Sequence, residues 1–338
     1  MPSNRPGLIL NHLAAVLVAV ALTCGSAAAE QTVRVGALQY GTVNWELDVI
    51  KHHALDQAAG IHIDVRPLGS ANAAAVALQS GAVDAIVSDW IWVSRQRGNG
   101  RPWTFYPWSM TVGSVMVRPD SGIRSLADLT GRKLGVAGGP VDKSWLILRA
   151  YYRQRYGSEL AEHVQPVFGA PPLLNKLTLR GELPAVINFW HYSARLRAAG
   201  MHPLIEVEDM LPALGVDPAP PLLGWVFSDR WAEKHPKAIR GLLRASYAAK
   251  HLLARSDAEW KRLEPLTGAE DDATLTALRD GFRAGIPESF GKAEIDAARK
   301  LFEVLAREGG ETLTGGQREL APGTFWQPPG GEAPWQRQ

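Results

Sequence analysis

An internal repeat is the feature that most constrains the fold of this chain. The segment Val76–Trp90 aligns without gaps with Lys176–Trp190. The matched pairs along the two copies are Gly69 and Gly169, Gly81 and Gly181, Ala85 and Ala185, and Trp90 and Trp190. Both copies have the same order of strand, helix, glycine turn, strand and tryptophan. A duplicated unit of this size predicts two similar lobes, and a small molecule commonly binds in the cleft between two lobes.

Predicted strands alternate with predicted helices along the first copy. Val33–Leu38, Ile61–Pro67 and Val83–Val87 are expected to be strands, and Trp45–Ala58 is expected to be one helix. This alternation predicts a parallel, doubly wound sheet, so the fold class is α/β with two Rossmann-like lobes. Ligands bind beyond the carboxyl ends of the strands in such sheets.

Two similar apolar segments predict where the chain crosses between the lobes. Val112–Arg118 and Leu222–Ser228 are interpreted as the hinge. From Trp231 onward the apolar residues follow a helical period, which predicts a helical C-terminal extension on lobe one. The predicted division is residues 30–113 plus 225–338 for lobe one and residues 114–224 for lobe two.

Residues 1–29 are predicted to be a secretion signal that leads to the periplasm. Arg5 supplies a positive start, and the apolar run Leu13–Leu22 is too short to anchor the chain in a bilayer. Small residues favour cleavage after Ala29. Cleavage there removes Cys24, the only cysteine, so the remaining chain has neither a thiol nor a disulfide. The residues before Cys24 lack the leucine of a lipoprotein cleavage box, which argues against lipidation.

Composition excludes several kinds of partner. The formal net charge is +2, whereas a nucleic-acid surface needs a basic stripe, so no nucleic acid is expected to bind. The sequence has no Walker lysine pattern and no G-x-G-x-x-G, so nucleotide binding is not supported. The 12 tryptophans favour a site that holds a flat ligand.

Candidate ligand contacts on lobe one lie in the loops that follow its strands. Asp89 could accept a hydrogen bond from an amine while Trp90 stacks on a flat or methylated cation. The alternative is that Asp89 caps the next helix and Trp90 belongs to the core. Replacing either residue by alanine is predicted to weaken binding with little loss of folding. The candidates on this lobe are Tyr40, Asn44, Trp45, Ser70, Asn72, Ser88, Asp89 and Trp90.

Candidate contacts on lobe two lie in equivalent loops. The glycines of Gly138–Ser144 let backbone N–H groups approach a ligand, and the helix N-terminus that follows favours negative charge. Asp142 is either a contact or a plain N-cap. Asn188 offers a donor and an acceptor, and His191 either contacts the ligand or makes a structural hydrogen bond. The candidates on this lobe are Gly139, Asp142, Ser144, Asn188, Trp190 and His191.

No cofactor, catalytic residue or metal site is predicted. His52 and His53 are adjacent on a predicted helix, so their side chains should point apart, and His62 lies on a strand. No His, Cys or carboxylate spacing fits zinc or calcium. Binding of a metal complex stays open as an alternative, and the carboxylates that could hold it are Asp89, Asp142 and Glu46.

Three segments resemble a known family of binding proteins. They are the opening strand Val33–Leu38, the phrase ALQSGAVDA at 77–85 and the phrase IRSLADLTGRK at 123–133, the last being the most specific. The chain is similar to periplasmic solute-binding proteins of ABC importers, in the group of nitrate, taurine and alkanesulfonate binders and NMT1/THI5-like thiamine-precursor proteins. The resemblance implies the type II periplasmic binding protein fold and hinge closure around the ligand. It also implies delivery of the ligand to an ABC permease and its ATPase, and the chain is expected to be a monomer.

The predicted function is capture of a small organic solute. Family members commonly carry an anion-binding arginine or a Ser/Thr cluster in the first-lobe loops, whereas Asp89 occupies one such loop here. Together with the aromatic residues, this suggests a nitrogen-bearing ligand, such as a thiamine-precursor-like pyrimidine, an amine or an amino-sulfonate. One alternative is an enzyme similar to the thiamine-pyrimidine synthases, which use pyridoxal phosphate in the cytosol and would need a lysine such as Lys143. Another is a periplasmic accessory or sensor protein that binds a partner protein.

Overall fold

The computed structural model describes residues 31–328, which form two five-stranded sheets flanked by helices. The predicted secretion signal, its cleavage site and Cys24 lie outside the described residues. The strands are β1 (Gln31–Leu38), β2 (Ile61–Leu68), β3 (Ala85–Asp89), β4 (Trp103–Ser109), β5 (Gly113–Val117), β6 (Lys133–Ala137), β7 (Gln165–Gly169), β8 (Ala185–Phe189), β9 (His202–Glu206) and β10 (Leu223–Ser228). The helices are α1 (Val43–His52), α2 (Leu55–Ala58), α3 (Ala71–Gln79), α4 (Trp90–Gly98), α5 (Lys143–Tyr156), α6 (Leu160–His163), α7 (Pro171–Leu179), α8 (Trp190–Ala198), α9 (Val207–Met210), α10 (Asp229–Lys234), α11 (Pro236–Arg255), α12 (Asp257–Thr267), α13 (Asp272–Ala284) and α14 (Lys292–Thr314).

The two sheets have the same topology. The first has the order β2-β1-β3-β10-β4 and the second the order β7-β6-β8-β5-β9. In each sheet four strands run in one direction and one runs opposite, because β10 is antiparallel to both β3 and β4, and β5 is antiparallel to both β8 and β9. The predicted α/β class with two doubly wound sheets is therefore confirmed, with an antiparallel return strand in each sheet.

The internal repeat marks equivalent positions in the two sheets. Gly36 of β1 lies opposite Ile86 of β3, and Gly135 of β6 lies opposite Val186 of β8. A Cβ on either glycine would come within 3.0 Å of that neighbour's side chain. Val83 in the first copy and Leu183 in the second also lie within 3.2 Å of that Cβ position, so a residue without a Cβ fits both sites best.

The segments interpreted as the hinge contain internal strands of the two sheets. Val112–Arg118 contains β5 and Leu222–Ser228 contains β10, and each of these strands is paired on both sides. The chain passes between the sheets just before each strand. At the start of β5, Gly113 has φ 134°, and a Cβ there would lie 2.1 Å from the carbonyl oxygen of Asn188. The division into lobes after residues 113 and 224 stays a prediction.

The helix expected over Trp45–Ala58 is broken into α1 and α2. His53 follows α1 with non-helical backbone angles, and Ala54 has φ 52°, in the left-handed region. That conformation is uncommon for a residue with a Cβ, and an alanine does not indicate it in a sequence. The break was therefore not predicted.

The C-terminal helices contact helices that flank both sheets. Helix α13 packs on α8, and α14 packs on α4 and α5. Arg153 of α5 pairs with Glu308 of α14 at 2.6 Å, and Arg195 of α8 donates to the Thr267 carbonyl at 2.6 Å. Within residues 31–328, none of the helices combines the length and apolar character needed to cross a bilayer.

Candidate functional site

A cavity of about 340 Å³ lies between the two sheets. Its walls include residues that follow β1, β3, β6 and β8, so the carboxyl ends of the parallel strands face it as predicted. The lining includes six of the sequence-derived candidates, which are Ser88, Asp89, Asp142, Ser144, Trp190 and His191.

An ion pair between Asp89 and Lys143 joins the two walls of the cavity. Asp89 ends β3 in the first sheet, and Lys143 begins α5 beside the second. The Lys143 Nζ lies 2.9 Å from Oδ2 of Asp89. The other oxygen of Asp89 accepts the backbone N–H of Trp92 at 2.8 Å. Asp89 is therefore both the N-cap of α4 and a charged group of the cavity wall.

The surroundings keep this pair ionised. Burial acts to raise the pKa of Asp89, but Lys143 and the Trp92 N–H outweigh it, and the pKa lies below its usual value. Burial acts to lower the pKa of Lys143, but Asp89 and Asp142 outweigh it, and the pKa lies above its usual value. Asp142 caps α5 through the N–H of Ser144, and burial leaves its pKa raised.

His191 lines the cavity and carries a neutral, unpaired nitrogen that is buried behind the wall. Burial, with a smaller contribution from the Arg195 charge, lowers the pKa of His191 to about 4. Its ring is therefore neutral at neutral pH. Its Nδ1 is buried without a hydrogen-bond partner among residues 31–328. A buried polar atom without a partner costs free energy, and a ligand could pair with it only after the His191 ring turned toward the cavity.

Lowering the pH is expected to destabilise the fold through His191. Between its ordinary pKa of 6.5 and about 4, the unfolded chain binds a proton that the folded chain excludes. Stability is therefore lost as the pH falls through this window, by about 2 kcal/mol between pH 7.5 and pH 5. Urea denaturation at the two pH values should show a smaller loss for His191→Gln than for the unchanged protein. The same substitution at the exposed His62 is the control, and it should lose as much stability as the unchanged protein. An undiminished loss of stability in His191→Gln would contradict the lowered pKa of His191.

Aromatic and aliphatic side chains form much of the remaining wall. Trp108, Phe189 and Leu222 line the cavity together with Trp190. Trp108 also donates through Nε1 to Glu46 at 2.8 Å. Glu46 is fully buried behind this wall and pairs with Lys250, so it is not available to hold a metal complex as the sequence left open.

Two candidates that were expected in the cleft lie in the core. Trp90 is fully buried, and its Nε1 donates to the Pro221 carbonyl at 2.9 Å. Asn188 is 1% exposed, and its amide donates to Asn175 at 2.8 Å. The expectation that these side chains face the cleft is corrected, because their polar groups are already paired inside the protein.

Three further candidates support the cavity from outside. Asn44 donates to the Leu38 carbonyl at 2.7 Å and holds the loop after β1. Ser70 caps α3. Trp45 is 5% exposed and packs edge-on against Trp190, with ring centroids 5.9 Å apart.

The other three candidates make no contribution to the lining. They are Tyr40, which is 89% exposed, the exposed Asn72, and Gly139 in the turn before α5.

Sequence reasoning missed several lining residues. Lys143 belongs to the candidate loop Gly138–Ser144 but was not chosen as a ligand contact. Its positive charge next to Asp142 could have indicated it. Trp108 lies on β4, a strand that was not foreseen. Val112 and Leu222 lie where the chain crosses between the sheets, and only the fold brings them to the cavity.

Comparisons with known proteins agree with this architecture. The sequence matches the family described as NMT1/THI5 like over residues 57–256. The periplasmic aliphatic sulphonate binding protein SsuA from Escherichia coli is similar in structure, with a TM-score of 0.70 and 17% identity over 90% of this chain and 95% of that chain. The alkanesulfonate-binding protein SsuA from Xanthomonas axonopodis pv. citri, bound to MOPS, has a TM-score of 0.67 and 17% identity over 88% and 99%. The desulfurization enzyme DSZB has a TM-score of 0.54 and 17% identity over 83% and 93%.

A search of curated proteins finds no match to the sequence. At these identities the similarity to solved structures shows the fold, and the predicted type II periplasmic binding protein architecture is confirmed.

Proposed function

Given that this chain belongs to the NMT1/THI5-like family, we propose that it is a solute-binding protein of an ABC importer, acting in the periplasm. The observation that carries the proposal is the cavity between two equivalent sheets, whose walls are joined by the Asp89–Lys143 ion pair. A cavity of about 340 Å³ is of the size that encloses a small organic molecule. The shared fold with two sulfonate-binding proteins supports this role.

The ligand is a small nitrogen-bearing molecule with an apolar or aromatic body. Within the described part of the chain, the cavity is lined by two carboxylates, one lysine and no arginine. Asp89 is ionised and partly exposed, so it can accept a hydrogen bond from a ligand N–H. Trp108, Phe189 and Trp190 offer flat apolar surface, and His191 lines the cavity beside them. Pyrimidines related to thiamine precursors, amines and amino-sulfonates fit this description.

Binding is coupled to closure because contacts come from both sheets. In this proposal the described residues 31–113 with 225–328 act as one lobe and residues 114–224 as the other. A ligand that touches Asp89 on one wall and His191 on the other stabilises the closed arrangement over the open one. The closed monomer then delivers its ligand to a permease that is powered by an ATPase.

A pyridoxal-dependent enzyme is less well supported than a binding protein. Such an enzyme needs a lysine whose amine can lose its proton. Lys143 is the cavity lysine, and its pairing with Asp89 raises its pKa and keeps it protonated. The only cysteine of the chain is Cys24, so no described residue supplies a thiol nucleophile.

A panel of solutes tests the proposal directly. We expect one chemical class among taurine, alkanesulfonates, nitrate, pyrimidines and amines to raise the Tm by several degrees, because a ligand that binds only the folded state stabilises it. Isothermal titration calorimetry should then give one site per chain. A flat response to all classes, or turnover of the bound compound, would contradict a binding protein of this type.

Asp89→Asn should weaken binding of that ligand about tenfold or more, since a hydrogen bond to a charged group is lost. Asparagine still caps a helix, so α4 should be retained, and loss of the partly exposed ion pair with Lys143 should cost about 1 kcal/mol. Asp64→Asn, at a half-buried carboxylate of β2 outside the cavity lining, is the matched control and should bind as the unchanged protein does. Equal affinity in Asp89→Asn would remove this carboxylate from the site.

A further inference from the structure

The break between α1 and α2 brings two imidazoles together on the surface. His52 ends α1, and His53 leaves the helix with φ −98° and ψ 8°. Their rings lie edge to face with centroids 4.7 Å apart. This corrects the expectation that adjacent histidines point apart, which assumed a helix that continues through both residues.

A carboxylate from another helix completes the cluster. Glu259 of α12 places Oε1 2.9 Å from Nε2 of His53. One ligand atom from each of His52, His53 and Glu259 lies within 4.8 Å of the other two. The remaining oxygen of Glu259 accepts from Arg262 at 3.0 Å, which fixes the orientation of the carboxylate.

We propose that His52, His53 and Glu259 form a binding site for Zn²⁺. Two imidazoles and one carboxylate are a ligand set that Zn²⁺ uses, with water in the remaining position. Imidazole nitrogen favours this ion over Ca²⁺ and Mg²⁺, which take oxygen ligands. Ligand atoms around Zn²⁺ lie about 3.3 Å apart, so the present cluster needs only small side-chain rotations to close on the ion.

The site is separate from the solute cavity. Helix α1 begins beside the cavity at Val43 and ends at His52, and ten helical residues span about 15 Å. Both histidines are open to solvent, so the ion can enter without opening the lobes. Bound Zn²⁺ would link α1 to α12, two helices that already pack against each other.

Titration of the tag-free, chelator-treated protein with ZnCl₂ tests the site. We expect one Zn²⁺ per chain, and an affinity loss of about tenfold or more in both His52→Ala and Glu259→Gln. The exposed His62→Ala is the matched control and should bind as the unchanged protein does. Zn²⁺ should also raise the Tm of the unchanged protein and of the control, and it should not raise that of His52→Ala.

Two outcomes would overturn the proposal. One is no saturable one-site binding at micromolar protein, and the other is equal affinity in His52→Ala and the control. Urea denaturation without metal separates a lost ligand from a lost fold, because all three variants replace partly exposed side chains and should unfold as the unchanged protein does.

Discussion

Lys250→Met is expected to lower the free energy of unfolding by about 3–5 kcal/mol, because it leaves a buried carboxylate without its counter-ion. Lys250 is 2% exposed and pairs with the fully buried Glu46. Ser246 donates to the same carboxylate at 2.5 Å, and Trp108 donates to it at 2.8 Å. The Lys250 ammonium also lies 4.8 Å from the centre of the Trp108 ring. Two hydrogen bonds remain after the substitution, and they do not replace the lost charge.

Urea denaturation of the single and double variants measures this effect. Glu46→Gln combined with Lys250→Met should recover much of the loss, because a neutral buried pair avoids the unpaired charge. Lys261→Met, which breaks exposed ion pairs, is the control and should cost less than about 1 kcal/mol. A cost for Lys250→Met as small as that of the control would show that water reaches the pair.

Trp90→Ala is expected to destabilise the protein by about 3–5 kcal/mol, as truncation of a buried tryptophan usually does. Trp90 packs near Phe302 and Phe325, with ring centroids 6.5 and 6.0 Å away. Its hydrogen bond to Pro221 also ties α4 to the segment that leads into β10. The expected loss of stability replaces the sequence-based prediction that Trp90→Ala would weaken ligand binding with little loss of folding.

Thermal and urea denaturation distinguish the two interpretations of Trp90. Trp90→Phe should cost less than Trp90→Ala, since it keeps most of the apolar contact and leaves only the Pro221 carbonyl unpaired. Tyr40→Ala, at a side chain that is 89% exposed, should change stability by no more than about 0.5 kcal/mol. Normal stability in Trp90→Ala together with lost ligand binding would contradict the core assignment.

The repeat predicted the architecture because it records backbone requirements that both copies share. Gly36 and Gly135 meet equivalent neighbours, and Trp90 and Trp190 each begin the helix after the third strand. The surroundings of the two tryptophans nevertheless differ. Trp190 lines the cavity and contacts Trp45, whereas Trp90 is enclosed beside Phe302 of α14. Local sequence carries no information on which distant helix covers a residue. Trp90 and Trp190 therefore occupy equivalent positions in the two copies, but one belongs to the core and the other to the cavity wall.

The candidate site was predictable in part for the same reason. Asp89, Asp142 and His191 follow parallel strands, and strand order alone brings such positions to one edge. The pairing of Asp89 with Lys143 depends on how the two sheets face each other, which the repeat does not specify. The close approach of His52 and His53 accompanies the left-handed backbone of Ala54. That conformation is usually predicted from a glycine, and this position has an alanine.

The contacts of α13 and α14 with both sheets' helices limit how the molecule can open. Points near a rotation axis move least, so a motion that keeps Arg153 on Glu308 and Arg195 on Thr267 must turn about a line close to these helices. The gap produced by such a turn is wedge-shaped, narrow beside the C-terminal helices and wide at the opposite edge. For the proposed closure, the widest opening would then lie at the edge of the cavity farthest from α13 and α14.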